Sequence, residues 1–383
     1  MKVKKIVQIS FLSCLILCGC SSPKEESKTP NETNTKELKE YSNMAFDAGF
    51  DTIYSYKEYG YDEELMRKHF DIGVELFSSY NNYFDIYNDY EGVNNLKAIN
   101  DSAGKEAIKV DQEVIDLLKE AKLFYDLSDG AFDITMGAVL KVWHKYRDQG
   151  IALNEENKKG PIPSEEELEK ANACKGWDKV EINEEEKTVY INDPCVSLDV
   201  GGIAKGYAAE QIGQEILKTD VEYASVNAGR NIRTLKTKPN NQPWRIGIAN
   251  PSGEDSMLIM ESITENSFVT SGDYERYYIG EDDKLYHHII DPKTLFPSTY
   301  YHSVSIMTLD SGAADCLSTT LFSLTVAEGK EVLKRYTEET GNAASAVWIM
   351  DKDKAQDCLG KEMDQYFIAY TEDMEDKLEW KKS

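Results

Sequence analysis

The amino-acid sequence predicts an α+β fold, mixed sheets with helices packed on them. Two stripes, over Asp62–Phe84 and Gln112–Leu127, carry apolar residues at helical spacing. Short β-rich runs lie between and after them, without the regular βαβ rhythm of a doubly wound sheet. At 383 residues the chain has ample length for a core, and neither an internal repeat nor a clear interdomain linker divides it.

The first feature in chain order is a targeting signal. Lys2, Lys4 and Lys5 precede the apolar run Ile6–Cys18, which is too short for a stable membrane span and has the form of a secretory core. It ends in Leu17-Cys18-Gly19-Cys20, which resembles a bacterial lipobox. The expectation is a lipoprotein signal peptide over 1–19 and lipidation at Cys20. The mature protein would then be lipid-anchored on the extracytoplasmic face of the cell membrane, each buried acyl methylene contributing about 0.8 kcal/mol. An ordinary signal peptide with a chance cysteine is the alternative. Ser21–Glu40 has Leu38 as its single large apolar residue, so 20–43 reads as a disordered tether and 44–383 as the folded domain.

Phe46–Tyr56 alternates loosely, a weak strand pattern. The helix over Asp62–Phe84 runs through Leu65, Phe70, Ile72, Leu76, Phe77 and Tyr80 and gives way to a polar turn at Asp85–Asp89. Gln112–Leu127 repeats the stripe through Val114, Leu117, Leu118, Ala121 and Phe124. Ser128-Asp129-Gly130 turns the chain ahead of Ala131–Gly137. Ala138–Tyr146 follows as a helix, with Asp133 and Thr135 as candidate caps. Asn154–Gly160 reads as a charged loop. Ser164 and Glu167 form a capping box opening another helix, and Trp177–Asn183 with Thr188–Asn192 forms a hairpin. A helix to Lys218 and a strand over Tyr223–Asn227 come next, then short alternating runs to Ile290. A strand at Ser303–Thr308, helices at Asp310–Leu324 and Glu328–Glu338, and strands at Val347–Met350 and Gln365–Tyr370 complete the chain.

Acidic residues number 69 against 43 basic ones, a formal net charge of −26. Such a surface repels phosphate backbones, and no basic cluster with interleaved aromatics offsets it, which speaks against nucleic acid as a partner. Cysteines stand at 14, 18, 20, 174, 195, 316 and 358, none in a C-x-x-C pair, so zinc and thioredoxin-like chemistry lack support. Cys174 and Cys195 form a disulfide outside the cytoplasm or remain free thiols; the sequence alone does not pair them.

The chemistry centres on Ser197–Glu210. A short strand tipped by Asp199 runs into Gly201-Gly202, and a helix follows at once. Paired glycines let the backbone approach a bulky ligand, the helix start offers free N–H groups to an anion, and Lys205 adds a mobile cation. This is no Walker A loop, because Lys205 precedes Gly206 and G-x-G-x-x-G is absent. A tight connection without a ligand is the competing reading. Asp315 and Thr319, four apart in a helix, share a face. With a glycine carbonyl they make a hard oxygen set suited to Mg²⁺; a cap or surface pair is the plainer alternative. His287 and His288 end a strand before Asp291-Pro292. Strand alternation points only one of them into a given cleft, as general base or ligand holder, unless the histidine simply stabilises the turn.

Five stretches occur together in an order and spacing that resemble the ApbE-type flavin transferases. They are Phe132-Asp133-Ile134-Thr135, Leu198–Tyr207, Thr270-Ser271-Gly272-Asp273-Tyr274-Glu275-Arg276, His287–Pro292 and Asp315–Thr319. The resemblance runs from about Phe46 to the C-terminus. It implies an ApbE-like fold and a Mg²⁺-dependent FAD:protein FMN transferase. Such an enzyme joins FMN to a Thr or Ser of an extracytoplasmic flavoprotein and releases AMP. By the same resemblance Asp199 and Lys205 contact FAD, and the Gly202 carbonyl, Asp315 and Thr319 hold Mg²⁺. Phe132, Asp133, Ile134 and Ile289 line the flavin site and Tyr87 stacks on the ring. His288 is the catalytic histidine, with His287 the alternative. The chain departs from the family pattern at Arg230 and Leu295, where glycine is usual. A flavin-binding surface lipoprotein without transfer activity, or an FAD pyrophosphatase yielding FMN and AMP, would use the same residues.

Overall fold

Nine strands, each antiparallel to its neighbours, form the main sheet of the computed structural model. Their spatial order is Lys39–Ala45, Tyr54–Gly60, Tyr223–Ala228, Asn231–Leu235, Ser267–Gly272, Ser303–Thr308, Ala344–Asp351, Tyr366–Tyr370 and Gly360–Met363. The structure describes residues 38–253 and 255–381. The expected signal peptide, Cys20 and the tether to residue 37 lie outside the described residues.

Eight α-helices occur among the described residues: α1 (Glu63–Phe84), α2 (Leu96–Asp101), α3 (Gln112–Leu127), α4 (Gly137–Glu155), α5 (Glu165–Asn172), α6 (Ala204–Leu217), α7 (Ser311–Phe322) and α8 (Val326–Thr340). Alternation along the strands decides what each face of the sheet meets. Tyr54, Tyr56, Val226, Ile306 and Trp348 join the large apolar cluster formed with α1, α3, α6, α7 and α8. Their strand neighbours Met307, Val347 and Ile349 point the other way. They pack with Ile248, Leu258 and Met260 of a three-stranded sheet, Trp244–Ala249, Ser256–Ser262 and Leu378–Trp380. Covered on both sides, Ser303–Thr308 is buried at every position, whereas Tyr54–Gly60 alternates. A third cluster joins Met136, Val139 and Trp143 to Tyr278, Tyr286 and Leu295, fixing α4 against the short hairpin that leads into His287.

Helix ends follow ordinary capping chemistry. Asp62 and Asp310 accept backbone N–H bonds at the starts of α1 and α7, and Thr325 with Glu328 makes a reciprocal capping box on α8. Ser164 accepts from the Glu167 N–H, one half of the box expected there.

Four expectations need correction. The sheet begins at Lys39, so the folded part starts inside the segment assigned to the tether. Phe46–Ile53 is the turn between two strands, with Phe50 and Asp51 at φ of 54° and 49°. Helix α4 continues to Glu155, well past Tyr146. Ser197–Val200 is extended but holds only an isolated bridge, Met136 to Ser197, instead of a strand.

Cys174 and Cys195 are disulfide-bonded, with Cα atoms 5.3 Å apart; Cys316 and Cys358 are free. The bond closes a sequence separation of 21 residues, and the loop-entropy model assigns such a closure about 3 kcal/mol. Treatment with reductant, or Cys174→Ser, should lower stability in urea by about that amount. An unfolding midpoint unmoved by reductant would show that the bond adds nothing.

Candidate active site

Helices α6 and α7 meet at Gly206. A Cβ there would lie 2.3 Å from the Ser311 carbonyl oxygen and 2.5 Å from Asp315 Cβ, so only glycine permits this approach. The Gly206 N–H donates to Asp315 Oδ2 at 2.9 Å. Asp315 is buried, and that burial raises its pKa against the opposing pull of Lys205 and the Gly206 N–H. A second tie lies one turn further along α6. Glu210 accepts the Ser311 N–H at 2.9 Å and pairs with the buried Arg233, also at 2.9 Å, from the strand Asn231–Leu235. Helices and sheet are thereby locked together behind the cleft.

On α7 every residue but Thr319 is buried. The space a Cβ of Gly202 would occupy lies 3.2 Å from Thr319 Oγ1 and 3.1 Å from Phe132 Cε2. The structure therefore brings Gly202, Thr319 and Phe132 together at the start of α6, one helical turn from Asp315 on α7. Asp199 accepts the Gly201 N–H at 2.9 Å, and its own N–H donates to the Ile134 carbonyl at 2.8 Å. Lys205 Nζ reaches the Gly201 carbonyl at 3.4 Å.

Phe132, Ile134 and Ile289 sit with their side chains in the large apolar cluster. A ligand would meet their backbone or a ring edge. Asp133 does not cap α4, which begins beyond Met136 without a side-chain cap. Its Oδ1 accepts instead from the Thr135 N–H (2.9 Å) and hydroxyl (2.6 Å), closing the turn, and burial raises its pKa.

The two histidines separate by their bonds. His287 is buried; its Nε2 donates to the Ser298 carbonyl at 2.7 Å and its Nδ1 accepts the Ile289 N–H at 3.1 Å. Both nitrogens are engaged, which makes it a brace for the turn. His288 Nδ1 donates to the Glu275 carbonyl at 3.1 Å, which leaves the basic lone pair on Nε2. Burial, with the charges of His287, Lys205, Arg276 and Arg147, pulls the His288 pKa down to about 3. It is a neutral base at physiological pH. Nearby, His302 bonds two carboxylates, Asp273 at 2.8 Å and Asp351 at 3.0 Å. Burial disfavours its charge, but the two acceptors raise its pKa above the ordinary value. It thereby ties the Thr270–Arg276 turn to the sheet.

Tyr87 is exposed, and its hydroxyl meets His144 Nδ1 at 2.8 Å; His144 Nε2 stands 3.8 Å from Asp199 Oδ2. Burial lowers the His144 pKa against the pull of Asp199. The sequence reading missed His144 and Arg147. Their spacing of three places them on one helical face, but a helix drawn only to Tyr146 leaves Arg147 outside. Arg230 and Leu295 have φ of 74° and 63°, the left-handed region that glycine occupies most easily. Both carry compensating contacts: Arg230 pairs with Glu275, and Leu295 is buried with its carbonyl accepting the Trp143 indole N–H at 2.8 Å.

Among the described residues no three His, Cys, Asp or Glu side chains gather to hold a metal. A cation here would rest on one carboxylate with a hydroxyl and a carbonyl. The donors suit a hard ion: Asp315 commits Oδ2 to Gly206, its charge is buried, and Thr319 is the one residue of α7 that is not buried.

In fold the chain is of the class formed by the solved ApbE structures. The ApbE protein of Thermotoga maritima superposes with a TM-score of 0.66 at 32% identity, covering 81% of this chain and 94% of that one. The flavin transferase ApbE of Vibrio cholerae gives 0.68 at 22% identity, covering 89% and 100%. A protein named FAD:protein FMN transferase from Klebsiella pneumoniae is 30% identical over 282 residues, 73% of this chain and 81% of its own length. One of the same name from Treponema pallidum is 32% identical over 256 residues, 63% and 68%. The model of the ApbE family matches residues 50–357, and the chain belongs to that family.

Two outcomes follow from this packing. Gly206→Ala should cost about 3 kcal/mol or more in urea unfolding, since neither the Ser311 carbonyl nor Asp315 Cβ can yield without parting the helices. A change under about 1 kcal/mol would mean that the helices separate freely. The second concerns pH. With a folded pKa near 3 and an ordinary value of 6.5, His288 binds its proton only in the unfolded chain between those limits. Stability is therefore lost as pH falls below about 6.5. His288→Gln should remove up to about 2 kcal/mol of the loss between pH 7 and 5; equal acid sensitivity in both proteins would show that His288 titrates normally.

Proposed function

We propose that the chain is an FAD:protein FMN transferase acting on a Thr or Ser hydroxyl of an extracytoplasmic flavoprotein, with AMP as the second product. The observation that carries this reading is the meeting of Asp315, Thr319 and Gly202 at the start of α6, with Lys205 acting on both Asp315 and His288. The names of the relatives support it. The lipobox-like Leu17–Cys20 supports anchorage through Cys20 at the outer face of the membrane, where such an acceptor would be met.

Asp315, the Thr319 hydroxyl and the Gly202 carbonyl would hold Mg²⁺, which when bound would neutralise pyrophosphate charge. The remaining work falls to the chain itself. The N-terminus of α6 and Lys205 favour an anion in front of Gly201-Gly202. Asp199 and the Phe132–Ile134 turn, joined through backbone bonds, give the flavin a fixed wall. His288 Nε2 takes the proton of the acceptor hydroxyl, a transfer that the negative charge of a bound pyrophosphate would favour by raising the histidine's low pKa. That oxygen forms the new bond to the FMN phosphorus, and AMP leaves with the electron pair of the broken P–O bond.

The full-length protein in detergent, incubated with FAD, Mg²⁺ and candidate acceptor flavoproteins, tests the proposal. Intact mass and in-gel flavin fluorescence should show one FMN on the acceptor, absent without Mg²⁺ and in Asp315→Ala. FMN and AMP released with no labelled acceptor would replace this reading with a pyrophosphatase. FAD that stays bound and intact would leave a binding protein.

A further inference from the structure

Helix α4 directs two basic residues, His144 and Arg147, towards the cleft. His144 is engaged with Tyr87 and stands beside Asp199. Arg147, one turn further on, keeps 16% of its side-chain surface. Among the described residues its one carboxylate partner within 4 Å is Asp148, 3.8 Å away and 75% exposed. A guanidinium taken this far out of water is ordinarily matched by a bidentate acceptor, and burial without one is strongly destabilising. Burial does depress the Arg147 pKa, and its spacing of three from His144 puts it on the helical face that meets Tyr87 and Asp199. Arg147, Arg276 and Lys205 all act on His288. These three cations together disfavour a positive charge on His288.

We propose that Arg147 is a phosphate-binding residue of this site, taking the pyrophosphate of the dinucleotide in a bidentate contact; this rests on the transferase reading above. The planar fork fits two phosphate oxygens, which a lysine in its place would not reproduce. The isoalloxazine and adenine rings have no charge to match it. Recognition by Arg147 is therefore of the phosphates, shared by FAD and ADP and absent from riboflavin.

Titrations of the full-length protein with FAD, ADP and riboflavin, with Mg²⁺ present and no acceptor, decide the matter. Arg147→Ala should raise the Kd for FAD and ADP about tenfold or more while riboflavin stays within about twofold. Arg147→Lys should recover only part of the loss. Unchanged riboflavin binding is also the check that the cleft still folds. If FAD and riboflavin weaken together, or neither weakens, Arg147 is a structural residue and the proposal is wrong. A wild-type protein that binds no FAD overturns the transferase reading as well, whereas FAD binding indifferent to both substitutions overturns this inference alone.

Discussion

The cleft depends on a missing side chain. With no Cβ at Gly206, α6 and α7 come close enough for a backbone N–H to reach the Asp315 carboxylate. That single contact orients the buried acid and sets the start of α6 against Thr319. It also leaves Lys205, the preceding residue, to act on Asp315 and His288. The Glu210–Arg233 pair and its bond to the Ser311 N–H then carry the same alignment back into the sheet. A carboxylate isolated in a low-dielectric interior is costly unless something opposes its charge. The frame thus holds a buried carboxylate whose charge is opposed by the Gly206 N–H and by Lys205.

Much of the fold was legible because its longest elements obey one period each. The stripes behind α1 and α3 and the runs Tyr223–Ala228 and Ser303–Thr308 are seen almost to the residue. What was hidden is pairing. Lys39–Ala45 is mostly polar and exposed, with only Tyr41 and Ala45 turned to the core, and looks like tether; its ladder to Tyr54–Gly60 makes it a strand. Ser197–Val200 shows the opposite case, an alternating stretch with strand character whose neighbours offer it a single bridge. Helix α2 is six residues long, too short for a periodic signal, and its Asn95 cap is visible only once the chain is folded.

The site divides along similar lines. That Asp315 and Thr319 share a helical face was legible from their spacing, whereas the approach of Gly202 to Thr319 depends on how the turn before α6 packs on α7. Phe132, Ile134 and Ile289 were expected to line a flavin site, and their side chains belong to the core. No local pattern separates an apolar residue lining a cleft from one beneath it. The choice between His287 and His288 turned on partners far along the chain, the Ser298 and Glu275 carbonyls. Alternation allowed either. Arg147 escaped because helix α4 carries few buried apolar residues beyond Trp143, so its second half gives a weak stripe.

The edge of the main sheet has a practical bearing on handling the protein. Lys39–Ala45 covers Tyr54–Gly60, whose Tyr54 and Tyr56 are buried, and Glu40 reaches back to Lys57 at 2.9 Å. Charged, exposed residues on an outermost strand discourage a second sheet from adding to it. A chain trimmed at residue 44 would lose five of that strand's seven residues and turn a half-buried, tyrosine-rich strand into the new rim. Such a rim invites self-association, and the aggregates would be a product of the trimming. Shortened forms for solution work should therefore keep Lys39 and what immediately precedes it.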